Sequence, residues 1–125
     1  MGRVAQRNSK PEMIVRRALH AAGYRYRLHG KALPGSPDIV FPGRRAVVFV
    51  HGCFWHRHNG CRACTTPKTR TAFWKAKFNA NVARDARAIA ALEAEGWKVH
   101  VIWECEANKQ SFLPALLSFL EQRSR

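Results

Sequence analysis

The chain has 125 residues, with 22 lysines and arginines against eight aspartates and glutamates, giving a formal charge of +14. That length suits one domain, residues 1–125, able to bury a real core, and 46% hydrophobic residues exclude a disordered basic tail. No run approaches the roughly 18 apolar residues of a membrane span, the N-terminal MGRVAQRNSKPE lacks a secretory apolar stretch, and the charge asks for an anionic partner.

In chain order, Ser9-Lys10-Pro11-Glu12 is a capping-box pattern that opens a helix. Ile14, Ala18, Leu19 and Ala22 keep helical spacing, and Gly23 supplies the left-handed stop. Tyr24 to Leu28 alternates with period two and predicts a half-buried strand. Leu33-Pro34-Gly35-Ser36-Pro37 is turn material that delivers Asp38 to a strand Ile39–Phe41. After a Pro42-Gly43 turn, Ala46–Val50 reads as a fully buried strand. Residues 51–70 have no clean period. Thr71 to Glu95 is helical up to Gly96, with a break expected near Asn79–Asn81. A strand over Trp97–Trp103 and an amphipathic helix over Phe112–Leu120 close the chain. The order α-β-β-β-α-β-α fits a small mixed sheet flanked by helices.

The segment from His51 to Cys64 holds three of the four cysteines and three of the six histidines. Cys53, His58 and Cys61 are spaced to converge on one metal, and Cys105, after the last strand, could close a tetrahedron. A closed Cys₃His set is structural zinc, pinning a loop that lacks hydrophobic contacts of its own. Cys64 competes with Cys61 on spacing, and the alternative is a set of ordinary buried thiols. Cysteines among histidines without an export signal indicate a reducing compartment.

Asp38 sits where a turn enters a strand, close to the end of Ala46–Val50 and to His51. One or two carboxylates plus phosphate oxygens suffice for Mg²⁺, which would stabilise a leaving oxygen. His51 or His56 could activate water, because imidazole titrates near neutrality. Asp38 also suits an Asx turn, and Glu12 suits either the capping box or a catalytic role. The acid-x-Lys strand end frequent in nucleases is missing; Phe49-Val50-His51 stands there instead. Phe54, Trp55 and Trp74 lie amid positive charge, as wedges between bases would, whereas Phe73, Phe78, Trp97 and Trp103 are expected in the core. Lys68, Arg70, Lys75, Lys77, Arg84 and Arg87 read as a phosphate-facing stripe.

Leu33-Pro34-Gly35-Ser36-Pro37-Asp38, His51-Gly52-Cys53-Phe54-Trp55-His56, Thr69-Arg70-Thr71 with Phe73-Trp74, Asn81 with Arg84-Asp85, Gly96-Trp97, and Trp103-Glu104-Cys105 follow one another in order. Together, from about Ser9 to Cys105, they resemble the very-short-patch mismatch repair endonucleases. The resemblance implies a restriction-endonuclease-like fold. It also implies nicking of one DNA strand 5′ to the thymine of a T:G mismatch left by 5-methylcytosine deamination. Asp38 would be the central Mg²⁺ ligand and the Val50 main chain a second, where many members carry threonine. His51 would lie beside the metal and scissile phosphate, His56 would activate water, and Glu12 would complete the active site. Cys53, His58, Cys61 and Cys105 would hold zinc, although one extra residue between His58 and Cys61 keeps Cys64 in play. Phe54, Trp55 and Trp74 would enter the duplex, with Lys68 and Arg70 beside them. A monomer in the bacterial cytoplasm, associated with the nucleoid, is expected. Mismatch-repair proteins and a gap-filling polymerase are its expected partners, and no membrane is involved. Little sequence precedes the first capping box, so a short DNA-gripping arm and a weaker hold on the duplex are expected.

Overall fold

The computed structural model describes residues 10–53 and 68–121. Helix α1 (Lys10–Ala21) leads to strands β1 (Arg27–Leu28), β2 (Ile39–Phe41) and β3 (Ala46–His51), with a single 3-10 turn at Pro42–Arg44 between the last two. Helix α2 (Thr71–Ala94), strand β4 (Lys98–Trp103), and helices α3 (Glu104–Lys109) and α4 (Leu113–Glu121) follow. The sheet runs β1-β2-β3-β4, with antiparallel pairs up to β3 and a parallel β3–β4 pair. Parallel neighbours need a long crossover, and α2 belongs to it.

Both expected glycine stops are present. Gly23 has φ 89°; its N–H donates to His20 O and that of Tyr24 to Leu19 O. Gly96, at φ 91°, repeats the pattern with Glu93 O and with Trp97 N–H on Leu92 O. These paired bonds satisfy the last helical carbonyls, which favours glycine at the left-handed position. The same arrangement ends α3, a helix that periodicity does not predict. There Gln110 is the left-handed residue, at φ 58°, and Ser111 N–H reaches Glu106 O. At its start Glu106 Oε1 accepts from Trp103 N–H at 3.0 Å. With tryptophan and glutamine at its ends, α3 carries neither usual boundary residue.

Three further expectations are corrected. The strand predicted over Tyr24–Leu28 shrinks to Arg27–Leu28, paired with Val40 and Ile39. Pro42 turns the partner strand away after Phe41, and the Tyr24 and Tyr26 rings pack edge-on against Phe41 instead, at 6.3 and 6.2 Å between centroids. The break near Asn79–Asn81 does not occur; α2 continues for 24 residues, about 36 Å. Asn81 Oδ1 accepts from Arg84 Nη1 at 3.2 Å one turn on, so this side chain is engaged along the helix surface. Phe73, expected in the core, is 48% exposed on the first turn of α2, with its ring under the Arg70 guanidinium and edge-on to Trp74. Phe78 is buried as expected.

Strand alternation divides the interior in two. Ile39, Phe41, Ala46, Val48 and Ile102 face Val15 and Leu19 of α1, Ala107 of α3, and Leu116 and Leu120 of α4, with Phe112 from the preceding loop. Val40, Val47 and Phe49 form a smaller cluster with Leu92 of α2, bordered by Leu33, Ile89, Trp97, Val99 and Val101. Trp97 thus meets its core expectation in part. The turn before β2 approaches α2 closely: a Cβ on Gly35, whose φ is 74°, would come within 2.7 Å of Ala88 Cβ. Only glycine allows both that conformation and that approach. Among the described residues no helix is long and apolar enough to cross a membrane.

Candidate active site

The first carboxylate arrives by way of the Leu33–Pro37 turn. Asp38 stands just ahead of β2, half-buried, and its Oδ2 accepts from Val50 N–H at 2.7 Å. This bond crosses from β2 to the far end of β3, where Val50 is followed by His51. His51 is 6% exposed, with its ring 5.4 Å from Phe49 and edge-on to Trp103 at 5.3 Å. Trp103, predicted as core, is half-buried beside this histidine.

The second carboxylate comes from α1. Glu12 is 1% exposed, and its Oε2 lies 2.9 Å from His29 Nε2 and 3.6 Å from Arg16 Nη1. A carboxylate this deep needs compensation; Arg16 supplies a positive charge from the next turn of the same helix. These contacts go beyond the capping role that the local pattern allowed for Glu12; Ser9 lies outside the described residues. The main-chain N–H of His29 donates to Asp38 O at 2.9 Å. A continuous run of contacts therefore joins Glu12, His29, Asp38 and Val50. His29 has no motif signal of its own. It follows the Tyr24–Leu28 alternation and precedes a glycine, and only the fold brings it to Glu12.

The arrangement can hold a small hard cation. Asp38 offers carboxylate oxygens beside the Val50 peptide, and Mg²⁺ asks for one or two carboxylates, completing its shell from water and phosphate. The soft donors lie one step further along the same strand ends. His51 pairs with Trp103 in the parallel register, so Cys53 and Cys105 stand two residues past matched positions. Cys53 is buried, Cys105 is half-buried, and Cys53 N–H donates to Glu104 Oε1 at 3.4 Å. His58 and Cys61, like His56, Phe54, Trp55 and Cys64, lie outside the described residues. Among the described residues, no three His, Cys, Asp or Glu side chains converge on a common metal position.

On the expected DNA-facing side, Trp74 is half-buried and stacks on Phe78 at 5.7 Å. Lys68, Arg70, Lys75, Lys77, Arg84 and Arg87 are all exposed. They do not form one stripe. Lys77 and Arg84 lie two turns apart on one side of α2, whereas Lys75 is turned about 160° from Lys77. Arg70 precedes the helix in a left-handed conformation, φ 52°.

Two groups elsewhere have displaced acidities. Burial holds His100 below its ordinary value despite Glu106, and the hydrogen bond to Glu121 raises Tyr24.

A mixed four-stranded sheet with helices on both faces fits the restriction-endonuclease-like class. Residues 1–62 match the profile of the family described as DNA mismatch endonuclease Vsr. The chain is 56% identical over 117 residues to the type II nicking enzyme V.XorIIP of Xanthomonas oryzae pv. oryzae, covering 94% of this chain and 85% of the relative. It is 41% identical to the type II nicking enzyme V.NmeAIP of Neisseria meningitidis, covering 89% of this chain and 79% of the relative. With the DNA mismatch endonuclease Vsr of Escherichia coli it shares 42% identity, covering 84% of this chain and 67% of the relative. The chain belongs to the Vsr family of DNA mismatch endonucleases, and its class of activity is that of a DNA endonuclease.

Proposed function

We propose that this endonuclease nicks one strand of duplex DNA 5′ to the thymine of a T:G mismatch, by Mg²⁺-dependent hydrolysis. The observation that carries the reading is the Asp38 carboxylate bonded to Val50 N–H, immediately before His51. A hard oxygen donor, a strand-end peptide and an imidazole thus stand together at one end of the sheet. Asp38 and the Val50 carbonyl would hold Mg²⁺, which supplies electrostatic stabilisation of the phosphoryl and leaving oxygens when bound.

The chain's own groups then divide the work. His51 is walled by Phe49 and Trp103, which fixes its ring and limits water around it. It would contact the scissile phosphate, and His56 would accept the proton of the attacking water. The water oxygen bonds to phosphorus as the bond to the 3′ oxygen breaks, leaving a 3′-hydroxyl and a 5′-phosphate. Glu12 completes the centre from α1. Phe54, Trp55 and Trp74 would unstack the mismatched step while Lys68 and Arg70 contact phosphates. Cys53, His58, Cys61 and Cys105 would bind structural zinc; the matched positions of Cys53 and Cys105 support that set. Residues 1–125 would act as a single domain and a monomer, in the cytoplasm of a bacterium and associated with its nucleoid. Mismatch-repair proteins and a gap-filling polymerase would then act on the nick.

The test compares T:G, C:G and other mismatched duplexes with Mg²⁺ and with EDTA. Selective nicking of T:G, lost in EDTA, is expected. Equal nicking of all duplexes would instead indicate a nicking nuclease without strict T:G preference, and tight binding without cleavage a lapsed zinc-stabilised DNA-binding module.

A further inference from the structure

We propose that His29 is a positioning residue of this active site, holding the Glu12 carboxylate in place relative to Asp38. The inference rests on the reading above, in which Glu12 and Asp38 belong to the hydrolytic centre. Glu12 is almost wholly buried, with His29 Nε2 2.9 Å from its Oε2, and with the carboxylate ionised this bond is donated by the ring N–H. Arg16, the other cation at this carboxylate, sits one turn along the same helix. That contact orients Glu12 relative to α1. His29 belongs to the sheet side, and its main-chain N–H is bonded to Asp38 O at 2.9 Å. One residue therefore grips both acids, one through its ring and the other through its backbone.

The backbone of His29 supports this role. Its φ is 53°, a left-handed conformation that residues with a Cβ adopt at a cost, and Gly30 next door could have taken it instead. Lys31 N–H on His29 O at 2.7 Å and Gly30 N–H on Pro37 O at 2.9 Å hold the turn in that state. Groups that orient an active-site carboxylate without touching the substrate act through geometry, so their loss lowers turnover more than binding.

The test measures kcat, KM and duplex affinity on a T:G substrate with Mg²⁺ for His29→Ala, His29→Gln, Glu12→Ala and the His29→Ala/Glu12→Ala double variant. Thermal melts run alongside. His29→Ala should lower kcat about tenfold to a hundredfold, with KM and affinity within about twofold of the parent. His29→Gln, which keeps a donor at similar reach, should recover most of the rate. In the Glu12→Ala background, His29→Ala should add nothing, since the two act as one unit. Unchanged kcat in His29→Ala, or a loss that remains additive in the double variant, would overturn the inference while leaving the proposed function standing. Full activity in Glu12→Ala would instead remove Glu12 from the proposed centre, and this inference with it. If His29→Ala melts below the assay temperature, His29→Leu replaces it. Gln exceeding Leu about tenfold would then support the inference, and equal rates would overturn it.

Discussion

Among the described residues, eleven are buried in one cluster on the side of the sheet covered by α1, α3 and α4, whereas the cluster on the α2 side comprises Val40, Val47, Phe49 and Leu92. The longest helix thus belongs to the thinner core. Only Phe78 and Leu92 of its 24 residues are buried, and its lysines and arginines stand exposed. Asp38 and His51 share strand parity with Val40 and with Val47 and Phe49, so both belong to the α2 side. Glu12 comes from the densely packed side and is joined to Asp38 through His29. The thick core fixes Glu12, whereas Asp38 and His51 stand on the thin side, where the lysines and arginines of α2 are exposed.

The largest effect expected from this contrast is on stability. Leu116→Ala, deep in the larger cluster, should cost about 2–5 kcal/mol, whereas Phe73→Ala on α2 should change stability by less than about 0.5 kcal/mol. Urea melts would measure both; equal losses would mean that the α2 side carries more of the core than its burial indicates. A smaller effect concerns the duplex. Lys77→Ala and Arg84→Ala should each reduce the slope of log affinity against log salt by about 0.9 while leaving the T:G preference intact. Unchanged slopes would direct the duplex away from this side of α2.

The smallest effect separates the sides by pH. His100 stacks on Phe119 of α4 at 4.9 Å, and burial holds its pKa below the ordinary 6.5. The fold prefers neutral imidazole, so this contribution is complete above pH 6.5 and is lost as pH falls through the folded-state value. Denaturation midpoints at pH 7.5 and pH 5.5 should show a steeper acid loss in the parent than in His100→Gln. Identical slopes would show that His100 has no part in it.

What the sequence made legible follows from local chemistry. Gly23 and Gly96 mark their helix ends because a left-handed residue is needed there, and Asp38 and His51 stand out because turn and strand signals bracket them. The short β1 was not legible, because Pro42 withdraws its partner from across the hairpin. Neither was α3, whose left-handed end uses Gln110. Phe73 looked like core because it is aromatic and at helical spacing, but nothing in the pattern says that this turn of α2 leaves it exposed. His29 is the clearest case: its bonds to Glu12 and Asp38 span 17 and nine residues, and no local period encodes them. The ligand assignments to His58 and Cys61, and the roles given to His56, Phe54 and Trp55, rest on residue type and spacing together with the family resemblance.

The central claim is that hydrolysis depends on the carboxylate bonded to Val50 N–H. Its most direct test is single-turnover nicking of a T:G duplex by Asp38→Ala with Mg²⁺, alongside a binding isotherm on the same duplex. The account predicts a rate lower by about a thousandfold or more with binding retained. Nicking at the parent rate by a folded Asp38→Ala protein would contradict it.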